Sequence, residues 1–107
     1  MNSKEPTLAP IVIFAYHRAE LFQNLLCSLQ QNELAEHSEL FIYIDGATDS
    51  NDEIKVSKVR GVANTVSGFK SVDIRISQTH KGLAKSVVSG ITEILQNYDR
   101  IIVLEDD

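Results

Sequence analysis

Tryptophan is absent from this 107-residue chain, and cysteine, methionine and proline are scarce, at one, one and two residues. The single cysteine, Cys27, excludes an internal disulfide framework and fits a reducing compartment. No apolar run approaches the ~20 residues that a membrane-spanning helix needs. The N-terminal Met1-Asn2-Ser3-Lys4-Glu5-Pro6 also lacks the apolar stretch of a secretory signal. The expected location is therefore cytoplasmic, or peripheral to a membrane as part of a larger protein. Positive charge is in deficit, with 10 Lys and Arg against 15 Asp and Glu and a net charge of -5. That excludes a nucleic-acid backbone binder, which needs excess cations to displace counterions. A nucleotide stays possible, because one cation or metal neutralises it locally. Repeats and low-complexity tracts are missing too, so the chain reads as one domain over residues 1–107 with a flexible lead-in over 1–9.

What is present is a regular alternation. Pro10-Ile11-Val12-Ile13-Phe14-Ala15-Tyr16 is a continuous β-branched run, suited to a strand covered on both faces. Leu21, Phe22, Leu25, Leu26 and Leu29 then fall at helical spacing. Leu40 to Ile44 is a second strand. Val59, Val62, Ala63 and Val66 mark a second helix, with Gly68 as its stop. Val72, Ile74 and Ile76 alternate with Asp73, Arg75 and Ser77, so the third strand has one wetter face and belongs at an edge. Ala84, Val87, Val88, Ile91, Ile94 and Leu95 form a third helical stripe, and Ile101 to Leu104 a last strand. The pattern β-α-β-α-β-α-β predicts an α/β fold, a three-layer α/β/α Rossmann-like parallel sheet with right-handed crossovers. A polar third strand favours the order 3-2-1-4 over 2-1-3-4. The former places a topological switch point between strands 1 and 4, where ligands of open sheets bind.

Parallel strands gather their carboxyl ends on one rim. Four polar clusters fall there: Tyr16-His17-Arg18, Asp45-Gly46, Gln78-Thr79-His80-Lys81-Gly82 and Glu105-Asp106-Asp107. Three adjacent carboxylates repel one another unless a cation compensates, and their hard oxygens suit Mn²⁺ or Mg²⁺; a solvated strand end reads equally well. Asp45-Gly46 is a favoured turn pair as well as a carboxylate able to accept from a base N–H or a ribose hydroxyl. His80-Lys81-Gly82 opens a helix, as an ordinary entry or as an anion site. Arg18 can meet a phosphate or brace a carboxylate, and Tyr16 offers a flat face or a core ring. Cys27 and the stretch Asp49 to Glu53 read as packing and as a helix cap, respectively.

Taken together, Ile11 to Arg18, Ile42 to Asp49, His80-Lys81-Gly82-Leu83 and Val103 to Asp107 resemble the nucleotide-binding half of GT-A-fold glycosyltransferases. The likeness is to the family 2-like and N-acetylglucosaminyltransferase I types. It implies that Asp45 contacts a uracil base and that Tyr16 and Arg18 line the base and phosphate site. It further implies that His80 and Lys81 lie beside the nucleotide, that Glu105 and Asp106 hold ribose or water, and that Asp107 ligates Mn²⁺ or Mg²⁺. The sequence departs from many family 2 members at His17 and Lys81, where those carry Asn. The resemblance implies a metal-dependent glycosyltransferase that binds a nucleoside-diphosphate sugar, with UDP as the expected carrier, and passes the sugar to an acceptor. Its catalytic base would come from an acceptor half beyond Asp107, so the expectation is a truncated chain, inactive alone. The alternatives are a nucleotidyltransferase-like domain and a non-catalytic α/β module binding nucleotide or protein. An uncovered last strand would also let two copies associate through Ile101 to Leu104.

Overall fold

A computed structural model describes residues 8–105. Among them lie four strands and three α-helices: β1 (Ile11–Ala15), α1 (Ala19–Gln30), β2 (Glu39–Ile44), α2 (Ser50–Ala63), β3 (Ser71–Ile76), α3 (Leu83–Ile94) and β4 (Ile102–Glu105). A short 3₁₀ turn, Ala35–His37, leads into β2. The strands form one all-parallel sheet in the order β3-β2-β1-β4. The expected α/β fold and strand order are thus both present. Ile13 sits level with Ile42 on one side and Leu104 on the other, so the middle of β1 is the middle of the sheet. Every residue of β1 is buried, as its unbroken apolar run requires.

The two sheet faces are filled differently. Ile11, Ile13, Ala15, Leu40, Ile42 and Ile44 point toward α1 and α2 and meet Phe22, Leu26, Val56, Val59 and Ala63. Each large side chain taken fully from water there contributes about 1.5–3 kcal/mol. On the opposite face Val12, Phe14 and Phe41 meet Ile94, with Val87 and Ile91 partly buried. The third stripe does not all face inward: Ala84 is exposed, Val88 is 66% exposed and Leu95 is 45% exposed. One helix turned toward one half of a sheet cannot bury both flanks of a broad stripe. Cys27, expected to pack, is exposed on α1. The polar residues of β3, Asp73 and Arg75, lie on the α3 side, beside Tyr43 and Glu93. At the other edge, Ile102 and Val103 of β4 are 48% and 37% exposed.

Local signals fix the helix entries. Asp49 caps α2, its carboxylate accepting the Asp52 N–H at 2.8 Å. The chain enters α3 through Gly82 at φ 86°, a conformation costly for any residue with a Cβ. Inside α3, Gly90 lets the helix approach the sheet; a Cβ there would stand 2.8 Å from the Phe14 ring.

Candidate functional site

The loops after β1, β2 and β3 converge at the carboxyl end of the sheet. Sheet-like bonds carry them to that rim: Asp45 N–H donates to Ala15 O at 3.0 Å, and Ser77 N–H to Ile44 O at 2.9 Å. Gly46 is where two of these loops touch. A Cβ on it would lie 2.6 Å from the Thr79 carbonyl carbon and 2.7 Å from its oxygen, so only glycine admits this approach.

Two buried carboxylates organise the rim. Asp45, 7% exposed, accepts from the Gly46 and Lys81 amides at 2.8 Å and from the Gly82 amide at 2.9 Å. It thereby clamps the loop that opens α3. The His80 ring adds Nδ1, 3.0 Å from Gly46 O and 3.2 Å from Asp45 Oδ2. Asp52, also 7% exposed, sits in the first turn of α2. It accepts from the Tyr16 hydroxyl, from His17 Nδ1 at 2.8 Å, from the Thr48 amide at 2.9 Å and from the Thr48 hydroxyl at 3.2 Å. The Tyr16 hydrogen bond, then that of His17, holds the Asp52 carboxyl well below the usual range. Burial and the same bond push the Tyr16 phenol up. Both shifts keep a neutral phenol donating to an ionised carboxylate.

The rings form a short stack. Tyr16 lies against His17 with centroids 4.1 Å apart and planes 19° from parallel, while His80 is tilted 43° with its centroid 4.9 Å away. Tyr16 is thus a supported member of a three-ring cluster, pinned at its hydroxyl.

A cleft of about 320 Å³ opens over this cluster, between the ends of β1 and β4 and the start of α3. It is lined by Tyr16, His17, Arg18, Asp45, His80 and Glu105, among others. That volume is at the small end of the ~300–1,000 Å³ typical of ligand sites. Lys81 does not line this cleft; it borders a neighbouring groove of about 460 Å³ between β3 and α3, which shares Tyr43, Asp45 and Ser86 with the cleft. Asp106 and Asp107 lie outside the described residues. Glu105, the described member of the acidic run, is exposed where β4 ends. Among the described residues, no group of three or more His, Cys, Asp and Glu side chains could hold a metal ion, and no helix is long and apolar enough to cross a membrane.

Five of the residues assigned to the nucleotide from the sequence, Tyr16, Arg18, Asp45, His80 and Glu105, line the cleft, whereas Asp52 was placed only as part of an acidic helix start. Its role depends on Tyr16 and His17, which lie 36 and 35 positions away. The one local hint is the spacing Asp49-x-x-Asp52 of a capping box. Here the second carboxylate reaches the Thr48 amide and then the rim. No family model matches the chain, and no curated protein or solved structure does either.

Proposed function

We propose that this chain is the nucleotide-binding part of a GT-A-type glycosyltransferase, with the cleft between β1, β4 and α3 as its nucleoside-diphosphate-sugar site. One observation carries the reading. Side chains from the ends of β1, β2 and β4 and from the β3–α3 loop line a single cleft at the switch point of a 3-2-1-4 sheet. The chemistry of that lining suits the ligand: planar rings for a base, Arg18 and two imidazoles for phosphates, and Glu105 for hydroxyl groups. Asp45 and Asp52 support it from below, since preorganised donors and rings lose little on binding. The carboxylate of Asp45 is already committed to three amides, so in this reading it shapes the site, with only its remaining lone pairs open to a base N–H.

Asp107 is the residue that would hold a divalent metal, whose chemistry is to offset diphosphate charge as the leaving group departs. The chain's own residues bind and orient; transfer to an acceptor hydroxyl or amine needs a base that none of the described cleft residues is assigned to supply.

Calorimetric titration of UDP with and without Mn²⁺ tests the reading. Binding is expected to strengthen with the metal, and Asp107→Ala is expected to abolish that gain. Equal gain in the variant would move the metal elsewhere, and UDP failing to bind under any condition would remove the nucleotide site.

A further inference from the structure

The two cleft histidines have their protons assigned by their partners. His17 Nδ1 faces Asp52 Oδ1 at 2.8 Å, and this carboxylate, held ionised, can only accept. His80 Nδ1 faces the Gly46 carbonyl at 3.0 Å and Asp45 Oδ2 at 3.2 Å, and Asp45 already accepts from three amides. Both Nδ1 atoms therefore carry hydrogen. Each ring then has Nε2 as its only variable atom: a lone-pair acceptor when neutral, a second donor when protonated. Both side chains are about one-third exposed, at 32% and 34%, and both line the cleft.

From this geometry, and resting on the nucleotide reading above, we infer that the cleft binds the diphosphate of its ligand with His17 and His80 as imidazolium donors, so that binding takes up protons. A phosphate oxygen cannot accept from a neutral Nε2, and a lone pair facing it would repel it. An imidazolium between a buried carboxylate and a phosphate is balanced on both sides and makes a charge-assisted hydrogen bond to each. Around the rings stand the carboxylates of Asp52 and Asp45, with Arg18 on the β1–α1 loop and Glu105 at the end of β4 lining the same cleft. Lys81 borders the neighbouring groove, and Tyr16, its phenol kept protonated, contributes no charge. An incoming dianion completes the imidazolium's second charge-assisted bond. By linkage, ligand affinity then rises as pH falls through the histidine range.

The probe is UDP-glucose, whose diphosphate diester has no group titrating between pH 5 and pH 8, used without metal and with a chelator present. Calorimetry in buffers of different ionisation enthalpy should show net proton uptake. Affinity should be roughly tenfold higher at pH 5.5 than at pH 8, a window that spans the ordinary histidine pKa near 6.5. His17→Asn and His80→Asn retain an N–H donor toward each carboxylate and cannot titrate, so the double variant should lose both proton uptake and pH dependence. Binding of equal strength at the two pH values with no proton exchange would overturn the inference and leave the nucleotide site standing. Absence of UDP-glucose binding at every pH without metal, with binding restored by Mn²⁺, would overturn the inference alone; absence with Mn²⁺ as well would remove both. A further measurement needs neither ligand nor variant: nitrogen-15 NMR of the histidine rings above pH 7 should find Nδ1–H for His17 and His80. An Nε2–H tautomer at either ring would overturn the inference.

Discussion

The two faces of the sheet are built for different ends. Toward α1 and α2, four strands and two helices enclose a continuous apolar layer with Phe22, Ile13, Leu40, Ile42, Ile44, Val56 and Val59 fully buried. Toward α3, the buried set shrinks to Val12, Phe14, Phe41 and Ile94. The β3 half of that face is polar. Arg75 bonds Asp73 at 3.0 Å and Glu93 at 2.7 Å and lies 5.8 Å from the Phe41 and Tyr43 ring centres. The two helical layers therefore differ in what holds them: apolar area on one face, and a small apolar contact with partly exposed ion pairs on the other. Exposed pairs are worth little, about 0–1 kcal/mol. Most of the stability lies under α1 and α2, while the cleft opens on the α3 side, where fewer contacts resist a ligand.

Three experiments would break or sharpen that contrast. The largest effect is expected from matched phenylalanine truncations. Phe22→Ala should cost about 5 kcal/mol and Phe14→Ala about 3, at opposite ends of the range for buried phenylalanine. Urea unfolding measures both, and equal losses would mean that the α3 face is as firmly packed as the other. A pair of helix glycines comes next, with opposite signs. Gly61 of α2 has open space around its missing Cβ, so Gly61→Ala should stabilise by about 0.5–1 kcal/mol through helix propensity. Gly90 of α3 faces the Phe14 ring, so Gly90→Ala should destabilise by about 1–3 kcal/mol as ring or helix shifts. A neutral Gly90→Ala would show that α3 rides freely over the sheet.

The smallest effect is electrostatic and confined to the α3 face. Burial, and then the hydrogen bond from its hydroxyl to Glu93, push the Tyr43 phenol up to about 12 from 10.0. Below pH 10 that contribution is fully present, because the phenol is protonated folded or unfolded. Between pH 10 and 12 the unfolded chain releases the proton first, so stability falls as pH rises. Tyr16 and Tyr98 are raised as well and share the alkaline decline. Tyr43→Phe should make the slope of unfolding free energy against pH shallower over this range. An unchanged slope would assign the decline to the other two phenols.

Much of the architecture was legible in the residue order. The unbroken run Ile11 to Ala15 calls for a central strand, and the Asp73–Arg75 alternation for an edge; both occupy those places. The rim of the site was legible as well, because parallel strands must end together. Less legible was the helix stripe of α3. Val88 has the spacing of a core residue and is 66% exposed, since periodicity states which side chains share a face and not how much of that face is covered. Asp52 was the least legible. Its neighbours in sequence make it one more acid at a helix start, and its neighbours in space make it the anchor of the cleft.

The sequence by itself determined the alternation of elements, their parallel direction and the rim on which polar residues gather, and it favoured the strand order that the structure decided. Those follow from period, β-branching and the handedness of crossovers, which are properties of short stretches of chain. Only the tertiary structure decided that Asp45 and Asp52 turn inward, that Gly46 touches Thr79, and that two histidines meet acids 35 residues away. A hydrogen bond depends on positions in space to a few tenths of an ångström. Such positions exist only after every strand and loop has been packed together.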